Sequence, residues 1–289
     1  MDSGAAPLAR LVRNDGAFCA DRKTVLWPDR VAGTRDPMRR IRIIGIGAGN
    51  PEHLTLQAVR ALNEVDVFFV PDKGEEKAAL RELREEICRR YIEKPAYRMV
   101  PLRVPQRAPA GSDYRGSVDD WHAALAESYE RLFAEELGEG EVGGLLVWGD
   151  PALYDSTLRI IEAVRARGFA LDYDVIPGIS SVQALAAAHR LVLNRIGEPV
   201  LITTGRKLAE SGMPDDQGSV VVMLDGEQAF AKIPPEELDI YWGAYLGAEE
   251  EILASGPLSE VAGEIVERRA EARAAHGWIM DTYLLRRKG

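Results

Sequence analysis

The chain has 289 residues, 46% of them hydrophobic, which supports one large core or two of middle size, and the length favours two domains. A formal net charge of −10 argues against a general nucleic-acid binder, which shows a basic balance or a dense basic stripe. No apolar run approaches the roughly 18 residues of a membrane span and no signal-peptide pattern opens the chain, so the expectation is a soluble, cytoplasmic protein.

Residues 1 to about 39 carry scattered Arg and Asp, turn formers and only short apolar pairs. They read as a leader, either disordered or preceding the true start. The second reading is favoured, because Met38-Arg39-Arg40-Ile41 leads straight into a first strand at 41–47, rich in isoleucine. A loop at 48–53 follows. Thr55 then caps a helix with apolar positions Leu56, Val59 and Leu62. A second strand at 65–70 ends at Pro71-Asp72-Lys73-Gly74, and 75–93 reads as a solvated helix. A short strand at 97–100 gives way to a long loop, 102–117, holding Arg103, Arg107 and Arg115. Val118, Trp121, Leu125, Leu132 and Leu137 mark an amphipathic helix over 118–137.

The stretch around which the chain is organised comes next. An apolar strand at 142–148 runs into Gly149-Asp150-Pro151-Ala152-Leu153-Tyr154-Asp155-Ser156-Thr157 and a helix over 156–167. In open α/β sheets, ligands bind at such carboxyl ends of strands. Gly149 permits a backbone geometry other residues resist, Pro151 fixes the chain behind Asp150, and Ser156 or Thr157 can cap the helix. A strand at 171–176 leads through Pro177-Gly178-Ile179 to Ser180 and Ser181, which can cap an Ala-rich helix at 182–190. Beyond it strand candidates crowd together, at 200–204, 219–224, 238–245, 251–253 and 278–280, with fewer helices between them. The fold class is therefore α/β, with two α/β domains. The expected division is the leader 1–39, a parallel-sheet N-terminal domain over 40–174 and a mixed-sheet C-terminal domain over 175–286.

Several chemistries lack support. Gly45-Ile46-Gly47-Ala48-Gly49-Asn50 approaches a dinucleotide fingerprint, yet its sixth position is Asn50, Pro51 follows, and no strand ends in an acid about 20 residues on. A dinucleotide-dependent reductase stays a minor alternative. Neither a Walker lysine nor a nucleophile elbow is present. Cys19 and Cys88 stand apart and the four histidines lack ligand spacing, so no disulfide framework or metal centre is expected.

Four blocks, residues 45–55, 65–72, 149–157 and 175–181, each at a strand terminus, together resemble the tetrapyrrole methyltransferases of cobalamin and sirohaem synthesis. The resemblance implies two α/β domains, S-adenosylmethionine in the cleft between them, a tetrapyrrole substrate and a homodimer. It places the cofactor against Ala48, Trp148, Gly149, Asp150, Leu153, Ser180, Ser181, Asp225, Tyr245 and Leu246. Ala48 stands where the family commonly has proline, and Asn50 where it has aspartate. Within the family, the Arg-bearing insert with Asp119-Asp120-Trp121-His122 and the stretch Trp242 to Gly247 point to methylation of ring carbon 1 of a precorrin with release of acetate. Asp72 could position a pyrrole N–H or take a proton, and Tyr154 could donate a hydrogen bond or simply pack. Acyl removal needs water activated by a base, and Asp72, Asp120 and His122 are the candidates. Guanidinium groups match the carboxylates of such a substrate, so Arg98, Arg103, Arg115, Arg206 and Lys207 are candidates, with Arg206 and Lys207 best placed. Methyl transfer to another precorrin position, to uroporphyrinogen III or to a macromolecule, and cofactor sensing without turnover, are the remaining alternatives.

Overall fold

A computed structural model describes residues 38–72, 78–94, 96–104 and 114–288. The expectations for the leader and for Arg107 fall outside them. The first half alternates β1 (Arg39–Gly45), α1 (Leu56–Glu64), β2 (Val67–Asp72), α2 (Ala78–Tyr91), β3 (Arg98–Arg103), α3 (Tyr114–Glu136), β4 (Val142–Val147), α4 (Thr157–Ala166) and β5 (Leu171–Ile176). The strands form a wholly parallel sheet in the order β3-β2-β4-β1-β5. Strand β4 lies between β2 and β1, unlike the 3-2-1-4-5 core of dinucleotide-binding sheets, so the glycine loop after β1 lacks the context that fingerprint requires.

The central strands read as continuous apolar runs because helices cover both sheet faces. Ile41, Ile43, Phe69 and Leu145 pack with Phe133 and Ile161 on one side, while Ile44, Phe68 and Leu146 meet Leu62 and Ile87 on the other. Gly143 and Gly144 in β4 make room for this packing. A Cβ at the first would lie 2.7 Å from Ile41 and 2.9 Å from Phe69, and at the second 2.7 Å from Val65. Arg42 interrupts the apolar pattern of β1, and its buried guanidinium is neutralised by Glu64 at 2.6 Å and by Asp174 on β5. Thr55 caps α1 as expected, accepting the Ala58 N–H at 3.0 Å.

Helix α5 (Ser181–Ala188) leads to β6 (Leu201–Thr204), α6 (Gly205–Ser211), β7 (Ser219–Met223), β8 (Leu238–Ala244), β9 (Ile252–Pro257), α7 (Leu258–His276) and β10 (Asp281–Arg287). This second sheet has the order β6-β7-β10-β8-β9; β6 and β7 are parallel and every other pair is antiparallel. The last strand is thus 281–287, not 278–280, and it occupies the middle of the sheet. Its charged first residue, Asp281, is buried against Arg269 at 3.0 Å, which masks the strand in the sequence. Helix α7 has no counterpart among the expected elements. Only Leu258, Ile265, Arg269 and Ala272 are buried on it, a narrow stripe that includes a charge and gives little periodicity. Both sheets lie within one compact unit, Asp36–Gly289. No helix among the described residues is long and apolar enough to cross a membrane.

Cys88 sits in the core between α2 and the first sheet, and burial pushes its thiol from 9.0 up to about 12, with Glu85 adding to the rise. The folded thiol stays neutral where the unfolded one ionises. Its contribution to stability is therefore full below pH 9 and is lost as pH rises towards 12. At pH 8, maleimide labelling of Cys88, followed by peptide mass analysis, is expected to proceed no faster than unfolding. Rapid labelling of the native protein would contradict this burial.

Candidate active site

Three loops at the carboxyl ends of β1, β4 and β5 meet backbone to backbone. Gly47 and Gly149 exchange hydrogen bonds of 3.3 and 2.8 Å. A Cβ on Gly178 would lie 2.1 Å from the Gly149 carbonyl and 2.8 Å from the Gly45 carbonyl carbon, so no side chain fits there. Asp150 locks the junction: one carboxylate oxygen accepts the Ala152 N–H and the other the Gly178 N–H, both at 2.8 Å. Gly149 adopts φ +70°, the left-handed region its missing side chain allows.

Beside this junction a cleft of about 300 Å3 opens between the two sheets. Its walls include Trp148, Gly149, Asp150, Leu153 and Tyr154 from the β4 loop, Ser180 and Ser181 from the start of α5, and Met223, Leu224 and Met280 from the second sheet. Pro71, Arg84, Trp121, Tyr129, Asp155 and Ser156 complete the side towards α2 and α3. A wider surface depression, about 510 Å3, lies beside Phe169 and Asp172 at the opposite, amino ends of β1 and β5. Among the described residues lining it, Gly168 is the one glycine.

The cleft brings together Trp148, Gly149, Asp150, Leu153, Tyr154, Ser180 and Ser181 from the set expected on sequence grounds. Ser180 caps α5 in a reciprocal box with Gln183, and the Ser181 hydroxyl accepts from Thr282 at 2.9 Å. Ala48 and Leu246 are buried together in the seam between the sheets, where a Cβ on Gly49 would lie 2.6 Å from the Leu246 carbonyl oxygen. Tyr245 lies behind the wall, donating to the Trp278 carbonyl at 2.5 Å, and Trp278 in turn meets Trp148 edge-on. Asp225 is also outside the cleft lining. Its carboxylate accepts from Ala229 N at 2.7 Å and from the Tyr283 hydroxyl at 2.6 Å, so its visible work is to fix the turn behind Leu224.

The expected anion binders are dispersed. Arg206 and Lys207 sit on α6, away from the cleft wall, facing Glu210 at 3.8 and 2.8 Å. Arg98 opens β3 at the far end and pairs with Glu136 and Glu141. Arg103 closes β3 next to Val104, which lines the cleft. Asp72 ends β2 beside Pro71, but its side chain lies outside the described residues, as do those of Arg115 and Asp120.

Several lining residues escaped the sequence reading. Arg84 is buried, donates to the carbonyls of Leu146 at 3.1 Å and Leu80 at 2.7 Å, and has its pKa lowered by that burial. Its phase was the available signal, since it shares the apolar face of α2 with Leu80, Ile87 and Cys88. Tyr129 falls in register with Leu125 and Phe133 on α3, and burial raises its pKa. Tyr154 and Leu224, at opposite sides of the cleft, both adopt left-handed φ near +54° while remaining exposed. Such strain in bulky residues concentrates at ligand sites.

The profile of the Tetrapyrrole (Corrin/Porphyrin) Methylases matches residues 40–262. Over 251 residues the chain is 58% identical to a precorrin-6A synthase (deacetylating) from Sinorhizobium sp, covering 86% of this chain and 96% of that one. A crystal structure of a cobalamin synthesis related protein (CobF) from Corynebacterium diphtheriae superposes with TM-score 0.74 at 40% identity, covering 87% of this chain and all of that one. A uroporphyrin-III C-methyltransferase from Thermus thermophilus, complexed with S-adenyl homocysteine, shares the fold at TM-score 0.53 and 21% identity, over 85% of this chain and 96% of that one. By sequence and by fold, the chain belongs to the tetrapyrrole (corrin/porphyrin) methylases.

Proposed function

We propose that the chain is a precorrin-6A synthase, an S-adenosylmethionine-dependent C-methyltransferase of cobalamin biosynthesis. It methylates precorrin-5 at ring carbon 1, with release of acetate. The observation that carries this reading is 58% identity to a deacetylating precorrin-6A synthase over 96% of that enzyme.

The glycine junction fits a bulky cofactor drawn close to backbone, since side chains are absent where β1, β4 and β5 end. Trp148, Gly149, Leu153, Ser180 and Ser181 would hold S-adenosylmethionine on the cleft wall. Asp150 would act by fixing two loops, while Ala48, Asp225, Tyr245 and Leu246 would support that wall from behind. The bound sulfonium supplies an electrophilic methyl group. The protein's task is then to align the ring carbon with it and to exclude water from that line. Burial raises the Tyr154 pKa, so at neutral pH its hydroxyl is a donor, now engaged by the Ile202 carbonyl at 3.3 Å. Asp72, beside the cleft-lining Pro71, would orient a pyrrole N–H.

Arg206 and Lys207 would meet substrate carboxylates outside the cleft proper. Arg206→Ala is accordingly expected to raise KM for the tetrapyrrole and leave S-adenosylmethionine affinity unchanged. Steady-state kinetics beside calorimetry checks this, and equal loss of both would contradict it. We also assign the domains as 40–174 and 175–286, a homodimeric assembly and a cytoplasmic location. The first experiment is calorimetric titration with S-adenosylmethionine and, separately, with NADPH. Micromolar binding of the former with the latter silent supports the reading, and binding of NADPH alone overturns it.

A further inference from the structure

We propose that His122 and Ser156 form the proton-accepting pair for acyl removal. The inference rests on the reading of the chain as an acetate-releasing enzyme and goes beyond it by choosing the groups that activate water. His122 Nε2 lies 3.2 Å from Ser156 Oγ, and Ser156 lines the cleft. That distance is within reach for a hydroxyl donating to an imidazole base.

The local structure leaves the Ser156 hydroxyl available for this work. Ser156 occupies the cap position of α4, where a serine side chain ordinarily accepts a helix amide, yet it makes no capping bond. Asp155 does so in its place, accepting the Thr157 N–H at 2.7 Å. Helix α3 carries His122 across the amino end of α4, and the Trp121 ring lies beside the imidazole at 5.4 Å. Other described side chains on the wall are poorly suited to accept a proton at neutral pH. Tyr129 and Tyr154 have pKa values raised by burial, which keeps them protonated. Arg84 is a donor only, and the carboxylates of Asp150 and Asp155 are already engaged by backbone amides.

Water gives a proton to Ser156 Oγ as the serine proton passes to His122 Nε2, and the hydroxide oxygen bonds to the acyl carbonyl carbon. When the tetrahedral adduct collapses, the bond from that carbon to ring carbon 1 breaks. Its electron pair stays on the ring, where the methyl group is received. The acyl unit leaves as acetic acid, which loses its proton to solvent, and His122 then releases its own. Ser156 touches the reacting water, while His122 acts through it.

The test uses the full chain with precorrin-5 and S-adenosylmethionine, measuring acetate and S-adenosylhomocysteine, with calorimetric cofactor affinity and thermal unfolding as controls. H122Q and S156A should each lower kcat for acetate release by roughly 100-fold or more, with KM, cofactor affinity and melting temperature close to wild type. Added imidazole should restore part of the activity of H122A, and S156T, which keeps a hydroxyl, should recover part of the loss seen in S156A. Acetate release by H122Q and S156A within about threefold of wild type would overturn the pair. So would losses accompanied by weakened cofactor binding and no imidazole rescue. If wild type releases no acetate from precorrin-5, the functional reading itself fails and the pair falls with it.

Discussion

Gly178→Ala is expected to abolish cofactor binding and to cost about 3 kcal/mol or more of stability. The added methyl group would stand 2.1 Å from the Gly149 carbonyl oxygen, with Gly45 backbone at 2.8 Å on the other side. Its neighbours are backbone, so no rotamer change relieves the overlap. The loops after β1, β4 and β5 must separate, and the Gly178 N–H must leave Asp150. Those loops carry Trp148, Leu153, Ser180 and Ser181, so the predicted loss of S-adenosylmethionine affinity is at least about 100-fold, or 2.7 kcal/mol. Gly263→Ala is the control. It lies on α7 with nothing within 4 Å of the new Cβ, and alanine there should be neutral to stabilising by up to about 1 kcal/mol. Urea unfolding and calorimetry decide the matter, and a G178A protein that binds cofactor like wild type would refute the three-loop junction.

Arg269→Ala should destabilise the protein by about 3–5 kcal/mol, because it strands a buried carboxylate. Arg269 lies 3.0 Å from Asp281, its Nη2 donates to the Asp225 carbonyl at 2.8 Å, and both ion-pair side chains are at most 5% exposed. Trp242 Nε1 also donates to Asp281, at 2.9 Å. Burial already raises the Asp281 pKa, with Arg269 opposing the rise. Without the guanidinium the folded-state value climbs further above the unfolded one. A raised carboxyl of this kind favours the native state at low pH and loses that contribution as pH rises. The deficit of R269A should therefore be larger at pH 7 than at pH 5. The effect reaches the cleft, since Asp225 follows Leu224 and Asp281 follows Met280, both of them lining residues. Urea unfolding at the two pH values checks the prediction, and a loss below about 1 kcal/mol would contradict the network's role.

Where local chemistry dictated local structure, the sequence was readable. Strand β5 falls at 171–176 as expected, Thr55 and Ser180 cap the predicted helices, and the change from a parallel to a mixed sheet is present. Elements that bury a long-range ion pair beside their apolar residues were hidden. Helix α7 and strand β10 meet through Arg269 and Asp281, residues that composition assigns to the surface. The same limit governed the site. Residues of the β4 loop are adjacent in sequence and reach one cleft together. Arg84, Tyr129, Met223 and Met280 arrive there from separate elements, and only tertiary packing shows it. Arg206 and Lys207 open α6 directly after β6, and neither is among the residues lining the cleft.

The most direct measurement is anaerobic incubation of the purified chain with precorrin-5 and S-adenosylmethionine, quantifying S-adenosylhomocysteine and acetate together. Equimolar amounts of the two are expected, with precorrin-6A as the tetrapyrrole product. Methylation without acetate would mean that the family is right and the assigned step wrong. Absence of both products, with cofactor bound, would contradict the proposed activity.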